Sequence, residues 1–277
     1  MASHDHIASR NRYSLEELLA VTLARDFHDR ERGFTGMATG GRTGVLIVGI
    51  PLAAMALARR THAPNLSMLY TGHIINPALE DIKGLFESGP TLAAVRCEAR
   101  QSSADIFSMV ERGEIDFGFS SGAQVDQYGN INTTVIGNYR RPSLRMLGAV
   151  LLPEHFALFG REYILMEHSR RRFVPRVDFI SGAGYIDGPG AREKAGLRRG
   201  GPRWVLTELG VFDFDPATCR MRVKSLHPGR TLAEVRDQTG FELIVPPQVP
   251  ETIPPTDEEL ALLRHEIDPH GVLLGRA

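Results

Sequence analysis

The sequence of residues 104–124 is ADIFSMVERGEIDFGFSSGAQ. It predicts a helix over Ala104 to Arg112, then a short apolar strand over Ile115 to Phe119, and finally a polar, glycine-containing loop over Ser120 to Gln124. An earlier strand, Ser67 to Thr71, ends in the same way at Gly72. Alternation of strands and helices indicates an α/β fold with a mostly parallel open sheet flanked by helices.

Two loops follow the ends of predicted strands, and ligands collect at the carboxyl ends of strands in such sheets. The loops contain Tyr70-Thr71-Gly72 and Gly122-Ala123-Gln124. We expect the chemistry of the protein here, with the carboxamide of Gln124 and the carboxylate of Asp126 orienting a carbonyl-bearing ligand.

A structural interpretation of the second loop remains open beside the functional one. Asp126, Gly129 and Asn130 are residue types that close a hairpin turn, and their role is then purely structural. The residues alone support an α/β enzyme or a ligand-binding subunit, and no more.

The domain organisation predicted is a flexible N-terminal arm over residues 1–13 and a single α/β domain over 14–277. Ser14 and Glu17 form a capping box that begins a first helix. Thr256 and Glu259 do the same for a C-terminal helical extension that ends before Pro269.

The segment from Gly33 to Gly44 is rich in glycine and predicts a flexible loop. Val45 to Ile50 predicts a buried strand, and Pro51 suits the first turn of the alanine-rich helix that follows. The most apolar window, Gly44 to Ala58, is shorter than the roughly 20 residues needed to span a bilayer, so we expect no membrane association.

Composition narrows the classes of function. The 32 basic and 33 acidic side chains leave no field to attract nucleic acid. Only two cysteines, Cys97 and Cys219, are present, which favours a cytoplasmic location. The ten histidines are scattered, so we expect neither metal catalysis nor a bound cofactor, and no Ser-His-Asp triad.

Longer motifs carry a family resemblance. Residues 122–137, GAQVDQYGNINTTVIG, resemble the signature of family I CoA-transferase β subunits. Residues 166–173 (MEHSRRRF), 185–190 (YIDGPG) and 266–269 (EIDP) resemble the β chain of glutaconate CoA-transferase in particular. The resemblance covers nearly the whole chain from Ser14 onward.

This resemblance implies an α/β protein that encloses an acyl-CoA site together with an α-type partner subunit, in a heterodimer or heterotetramer. The substrate is then a coenzyme A ester. In the family, a glutamate of the β chain attacks the thioester and forms a glutamyl-CoA intermediate. Here Tyr70 stands at that place, ahead of Thr71-Gly72, and a phenol of ordinary pKa about 10 is a poor nucleophile.

A second departure from the family pattern follows the signature strand. The family's glycine-rich loop is absent there, and Gly148-Ala149 runs straight into Val150. Both departures lie in segments that the resemblance assigns to the pocket.

Three functional hypotheses follow. In the first, Tyr70 polarises a CoA ester, with Gln124 beside it, for hydrolysis, decarboxylation or another carbon–carbon cleavage. In the second, the protein is a CoA-transferase with a relocated nucleophile, for which Glu80 and Asp81 are weak candidates. In the third, it is a non-catalytic structural subunit and Tyr70 is packing.

The arginines of residues 170–172 admit two interpretations. Arg171 and Arg172 either contact a phosphate of coenzyme A or form a solvated or intersubunit salt-bridging face.

Overall fold

The computed structural model describes residues 12–36, 41–85, 89–197 and 199–276. Most of the predicted N-terminal arm, residues 1–11, and the middle of the glycine-rich segment, residues 37–40, lie outside that range. Arg12 and Tyr13 precede the first helix as a bend.

The strands are β1 Arg32–Thr35, β2 Ser67–Tyr70, β3 Ile74–Pro77, β4 Cys97–Arg100, β5 Phe117–Ser120, β6 Gln124–Val125, β7 Ile131–Asn132, β8 Val135–Asn138, β9 Arg141–Arg145, β10 Arg161–Leu165, β11 Pro202–Leu206, β12 Gly210–Phe214 and β13 Met221–Leu226. The helices are α1 Leu15–Ala24, α2 Gly41–Gly44, α3 Ile50–Thr61, α4 Gly89–Ala94, α5 Ser103–Glu111, α6 Leu152–Leu158, α7 Ala191–Lys194, α8 Leu232–Asp237 and α9 Asp257–Ala261. A 3-10 turn covers Leu79–Asp81, and π-helical segments cover Val45–Gly49 and Leu262–Ile267.

The central sheet has the order β13-β12-β11-β10-β5-β1-β2-β3-β4. Its five middle strands, β11, β10, β5, β1 and β2, are parallel to one another. Antiparallel hairpins extend it at both sides, β12 and β13 at one and β3 and β4 at the other. The predicted α/β fold with a mostly parallel sheet is confirmed.

The first helix begins as predicted. The Ser14 side chain accepts from the Glu17 N–H, and the Glu17 side chain accepts from the Ser14 N–H, which is the reciprocal capping box. Buried Glu17 also receives the guanidinium of Arg264 from the C-terminal segment, at 2.7 Å. The ion pair therefore joins the first helix to the C-terminal extension.

The predicted strand over Val45 to Ile50 is wrong, because this segment is helical. It is the π turn between α2 and α3, and together they make one helix of 21 residues, Gly41–Thr61. The Ile50 N–H donates to Val45 O, five residues back, and this wider turn accommodates Pro51, which has no N–H to donate.

That helix is also longer than the apolar window considered from the sequence. Its length and composition would allow it to cross a membrane, but most of it is buried inside the fold. It packs between α1 and the sheet, with Ile50, Leu52 and Leu57 in the main core. We conclude that it is a core helix.

The glycine-rich segment is only partly a loop, since its first residues form β1. Gly33 pairs with Met68 of β2 and with Phe117 of β5, so β1 lies in the centre of the sheet. A Cβ on Gly33 would lie 2.3 Å from the Phe117 ring and 2.5 Å from Met55 Sδ. The position needs a glycine because those two side chains fill the space.

Candidate active site

The carboxyl edge of the five parallel strands brings both predicted loops to one side of the sheet. β2 ends at Tyr70 and β5 ends at Ser120, with the end of β1, Thr35, between them. Neighbouring strands are about 4.8 Å apart, so the two loops begin roughly 10 Å from each other. A ligand the size of an acyl group can reach both.

The backbone at Thr71 and Gly72 makes a left-handed turn at this edge. Thr71 has φ +54° and Gly72 has φ +75°. The Thr71 N–H donates to Thr35 O at 2.8 Å, which ties the turn to the end of β1. A β-branched residue at positive φ is strained, and Thr71 Oγ1 is buried without a hydrogen-bond partner among the described residues.

Tyr70, directly before this turn, is 1% exposed and belongs to the main core. It pairs in register with Thr35 across β1 and with Ile74 across β3. The phenol therefore occupies the core beneath the turn, on the side of the sheet that carries α1 and α3. Its position is compatible with contact to a ligand only at the turn itself.

Gln124 lies in the second loop, 7% exposed, with both ends of its carboxamide hydrogen-bonded. Its Nε2 donates to Asp178 Oδ2 at 3.0 Å. Its Oε1 accepts from Asn132 Nδ2 at 2.8 Å and from the Asp178 N–H at 3.0 Å. The amide orientation is fixed by Asp178 and Asn132, and one Nε2 hydrogen remains for a ligand.

Asp126 and Asn130 form an internal clamp that closes the β6–β7 hairpin. The Asp126 carboxylate accepts from the Tyr128 N–H at 3.0 Å, from the Asn130 N–H at 3.1 Å and from Asn130 Nδ2 at 2.9 Å. Both side chains are buried, and burial raises the pKa of Asp126 despite these bonds. The structure thus engages both side chains in the turn.

Gly129 completes the hairpin turn. It has φ +70°, and a Cβ there would lie 2.6 Å from the Phe214 ring. Gly122 and Ala123 precede the hairpin at the edge, where the Ala123 N–H donates to Asn132 O at 2.9 Å.

Carboxylates near the edge are few among the residues described. Glu80 and Asp81 follow β3, which runs antiparallel to β2, so they lie at the opposite edge of the sheet. Arg96 binds both and lowers the pKa of Asp81 to about 2. They are too distant from Tyr70 to replace a missing nucleophile there.

Glu167 follows β10 at the carboxyl edge, and its carboxylate pairs with Arg172 at 2.9 Å. The same guanidinium donates to Gly122 O at 3.3 Å. Arg172 therefore links this carboxylate to the glycine loop, while Arg171 is exposed at the surface.

Sequence reasoning missed Ser120. Residues 118–122 read G-F-S-S-G, a G-x-S-x-G pattern that was a signal in the sequence. Ser120 ends β5, but the chain continues into β6 instead of a helix, and no described histidine bonds its buried Oγ. A nucleophile elbow with a His base is thus not assembled, and Ser120 is a buried hydroxyl at the edge.

Asp178 was also missed as a site residue, because nothing near it in sequence reveals its contact with Gln124. A third omission is a buried pair, His155 Nδ1 and Glu162 Oε1 at 3.1 Å, packed beside the Phe34 and Phe159 rings. No group of three or more His, Cys, Asp or Glu side chains suited to a metal occurs among the described residues.

Comparison with known families agrees with this geometry. The family model described as coenzyme A transferase matches residues 41–238, which include both loops and the hairpin. The chain belongs to the coenzyme A transferase family.

Relatives within the family differ in their reactions. The chain is 30% identical over 267 residues, 95% of its length and 96% of the relative's, to the second of the two chains of glutaconate CoA-transferase of Acidaminococcus fermentans. It is 36% identical over 220 residues, 78% of its length and 83% of the relative's, to the cholesterol ring-cleaving hydrolase IpdB subunit of Mycobacterium tuberculosis.

Solved structures repeat this division. The crystal structure of glutaconate coenzyme A-transferase from Acidaminococcus fermentans matches with a TM-score of 0.79 at 27% identity, over 95% of this chain and 98% of that chain. The decarboxylase AibA/AibB matches with a TM-score of 0.74 at 26% identity, over 93% of this chain and 96% of that chain. The fold is thus shared by a transferase and a decarboxylase.

Proposed function

We propose that this chain is the β-type subunit of a cytoplasmic two-subunit enzyme that acts on an acyl-CoA thioester without forming a glutamyl-CoA intermediate. One observation carries the proposal: the place that the resemblance gives to the nucleophilic glutamate is held by Tyr70. The hydrolase and decarboxylase among the relatives support it, because their names describe reactions other than CoA transfer.

The proposed roles follow from where the side chains lie. The Tyr70 hydroxyl and the free Nε2 hydrogen of Gln124 donate to the carbonyl or enolate oxygen of the substrate, which stabilises developing negative charge. Thr71, Gly72, Gly122 and Ala123 line the pocket at the sheet edge. Asp126, Gly129 and Asn130 keep the hairpin in shape.

An α-type subunit completes the pocket in this proposal, as a heterodimer or heterotetramer. Its expected contribution is any carboxylate that the reaction needs. The ester's coenzyme A is a substrate, and the proposal requires no resident cofactor.

The test is mass spectrometry of the two-subunit complex after incubation with a glutaconyl-type CoA ester, with an acid quench and borohydride trapping. We expect product from the wild type with no CoA-linked adduct on this chain, and an adduct gained by Tyr70→Glu. A carboxylate-linked adduct on the wild-type chain would refute the proposal.

Tyr70→Phe tests the role of the hydroxyl. Removing one preorganised donor to an oxyanion lowers kcat by about 10²- to 10³-fold. An unchanged kcat would leave Tyr70 as packing, which is the role expected of a structural subunit and agrees with its burial.

A second candidate function is favoured by one observation, the carboxylate of Glu167 beside the glycine loop. It would serve as the relocated nucleophile of a genuine CoA-transferase. In that case the adduct maps to Glu167 in the wild type and disappears in Glu167→Gln.

A further inference from the structure

The β8–β9 hairpin and the segment after it, residues 135–150, carry an unusual concentration of exposed apolar side chains. Leu147 is 70% exposed and Val150 is 74% exposed, and Tyr139 and Leu144 are more than half exposed. The described part of the chain has only three other large exposed apolar side chains, Phe107, Ile180 and Ile253. A cluster of this kind on one element is typical of an interaction surface.

The hairpin is ordered but is not part of the central sheet. β8 and β9 form a separate two-stranded sheet, and an isolated hairpin of this kind is marginally stable in water. The Tyr139 ring stacks on Phe179 at 5.4 Å, and the Arg145 guanidinium lies 5.2 Å from the Tyr139 ring centroid. These contacts hold the base of the hairpin and leave its outer face open.

The charge of this hairpin surface has one sign. Arg140, Arg141 and Arg145 lie in a segment, residues 135–153, that contains no aspartate or glutamate. None of the three makes an ion pair with another residue that the structure describes. The carboxylate nearest in contact is Asp178, which accepts from the Gly137 N–H at 2.9 Å.

We propose that this hairpin surface, residues 135–150, docks the α-type subunit through an apolar patch bordered by carboxylates on that partner. A second copy of this chain does not fit, because a twofold contact would bring the three arginines against their own copies. The proposal rests on the proposed function in taking the α-type subunit as the occupant.

Docking at this surface also acts on the candidate site. Asp178 Oδ2 accepts from Gly137 N at the start of the hairpin and from Gln124 Nε2 in the loop. A partner that immobilises the hairpin therefore fixes the acceptor that orients Gln124. The arrangement makes the orientation of the Gln124 carboxamide dependent on the complex.

The experiment measures the affinity of the full-length chain for its α-type subunit. That subunit is the coenzyme A transferase family chain that co-purifies with wild type, identified by mass spectrometry and then purified alone. Leu147→Asp is compared with Ile253→Asp, a control of matched exposure at 71%, and Arg141→Glu with Arg30→Glu at the opposite sheet edge.

We expect Leu147→Asp to weaken Kd by at least about 30-fold, as a central apolar contact does. Arg141→Glu weakens it with a smaller salt dependence, and both controls stay within about 2-fold. Hydrogen exchange at residues 135–145 slows in the wild-type complex.

Two outcomes overturn the proposal: a Kd for Leu147→Asp within about 3-fold of wild type, or self-association of the wild type that Leu147→Asp abolishes. Far-ultraviolet circular dichroism checks that the variants fold. Binding is measured without a CoA ester, so an inert complex would refute the proposed function and leave the docking result intact.

Discussion

The clamp between Asp126 and Asn130 allows a structural role to be separated from a chemical one. Asp126→Ala removes one buried carboxylate and leaves three donors without their acceptor: the Tyr128 N–H, the Asn130 N–H and the Asn130 amide. Each stranded buried donor costs about 1–3 kcal/mol.

Two effects reduce the total. The Asn130 amide keeps its bond to Ile186 O at 2.9 Å, and the Tyr128 N–H is only partly buried. Removing the carboxylate also removes the desolvation that raises the pKa of Asp126. We therefore expect the free energy of unfolding to fall by about 3 kcal/mol, nearer the lower limit of the sum.

Urea denaturation of the full chain measures this loss. The matched control is Asp215→Ala, because Asp215 accepts from the Thr218 N–H and Oγ1 in the same kind of turn, but in solvent. Its loss is expected to be much smaller. If Asp126→Ala loses less than about 1 kcal/mol, the clamp does not hold the hairpin and the carboxylate is free for a ligand.

The remaining predictions concern packing and pH. Gly118→Ala places a Cβ 2.6 Å from Glu162 Oε2 and 2.7 Å from the Phe159 ring, so we expect a loss of about 2–3 kcal/mol, whereas Gly36→Ala, with only Phe34 at 3.8 Å, stays within about 0.5 kcal/mol. Burial lowers the pKa of His168 to about 3 and of His227 to about 4, so the folded state binds fewer protons than the unfolded state. Stability is full above pH 6.5 and declines by about 1.4 kcal/mol per pH unit for each histidine as pH falls toward those values. Urea titrations at several pH values should show that slope, and His168→Gln should reduce it; an unchanged stability between neutral pH and pH 5 would contradict the assignment.

The ends of the chain were predictable because their signals are local. Ser14 with Glu17 and Thr256 with Glu259 each satisfy the first N–H groups of a helix within four residues of sequence. The capping boxes formed as expected. No distant residue is needed to decide such an end.

The centre of the fold was harder, because its signals are not local. The six residues Val45 to Ile50 are apolar enough for a buried strand or a buried helix, and a π turn with Pro51 decides for the helix. Gly33 has no side chain because Phe117, 84 positions later, occupies its place. A pattern of alternating side chains cannot predict such a strand.

The candidate site divides in the same way. The α/β rule correctly placed the Tyr70 and Gln124 loops at one edge, because it depends only on the ends of parallel strands. The burial of Tyr70 and the contact of Gln124 with Asp178, 54 positions away, depend on tertiary packing. These are also the features that decide whether either side chain meets a ligand.

Thr71 provides an argument for this edge that does not depend on the family resemblance. A β-branched residue at φ +54° costs about 1–3 kcal/mol, and a buried hydroxyl without a partner adds a similar amount. Glycine or asparagine would adopt the same turn with less strain, since both tolerate positive φ. A hydrogen-bond acceptor from a substrate or a partner chain would recover the hydroxyl's share, and nothing in the described chain does so. The strain at Thr71 is therefore best explained by binding at the carboxyl edge, next to Tyr70.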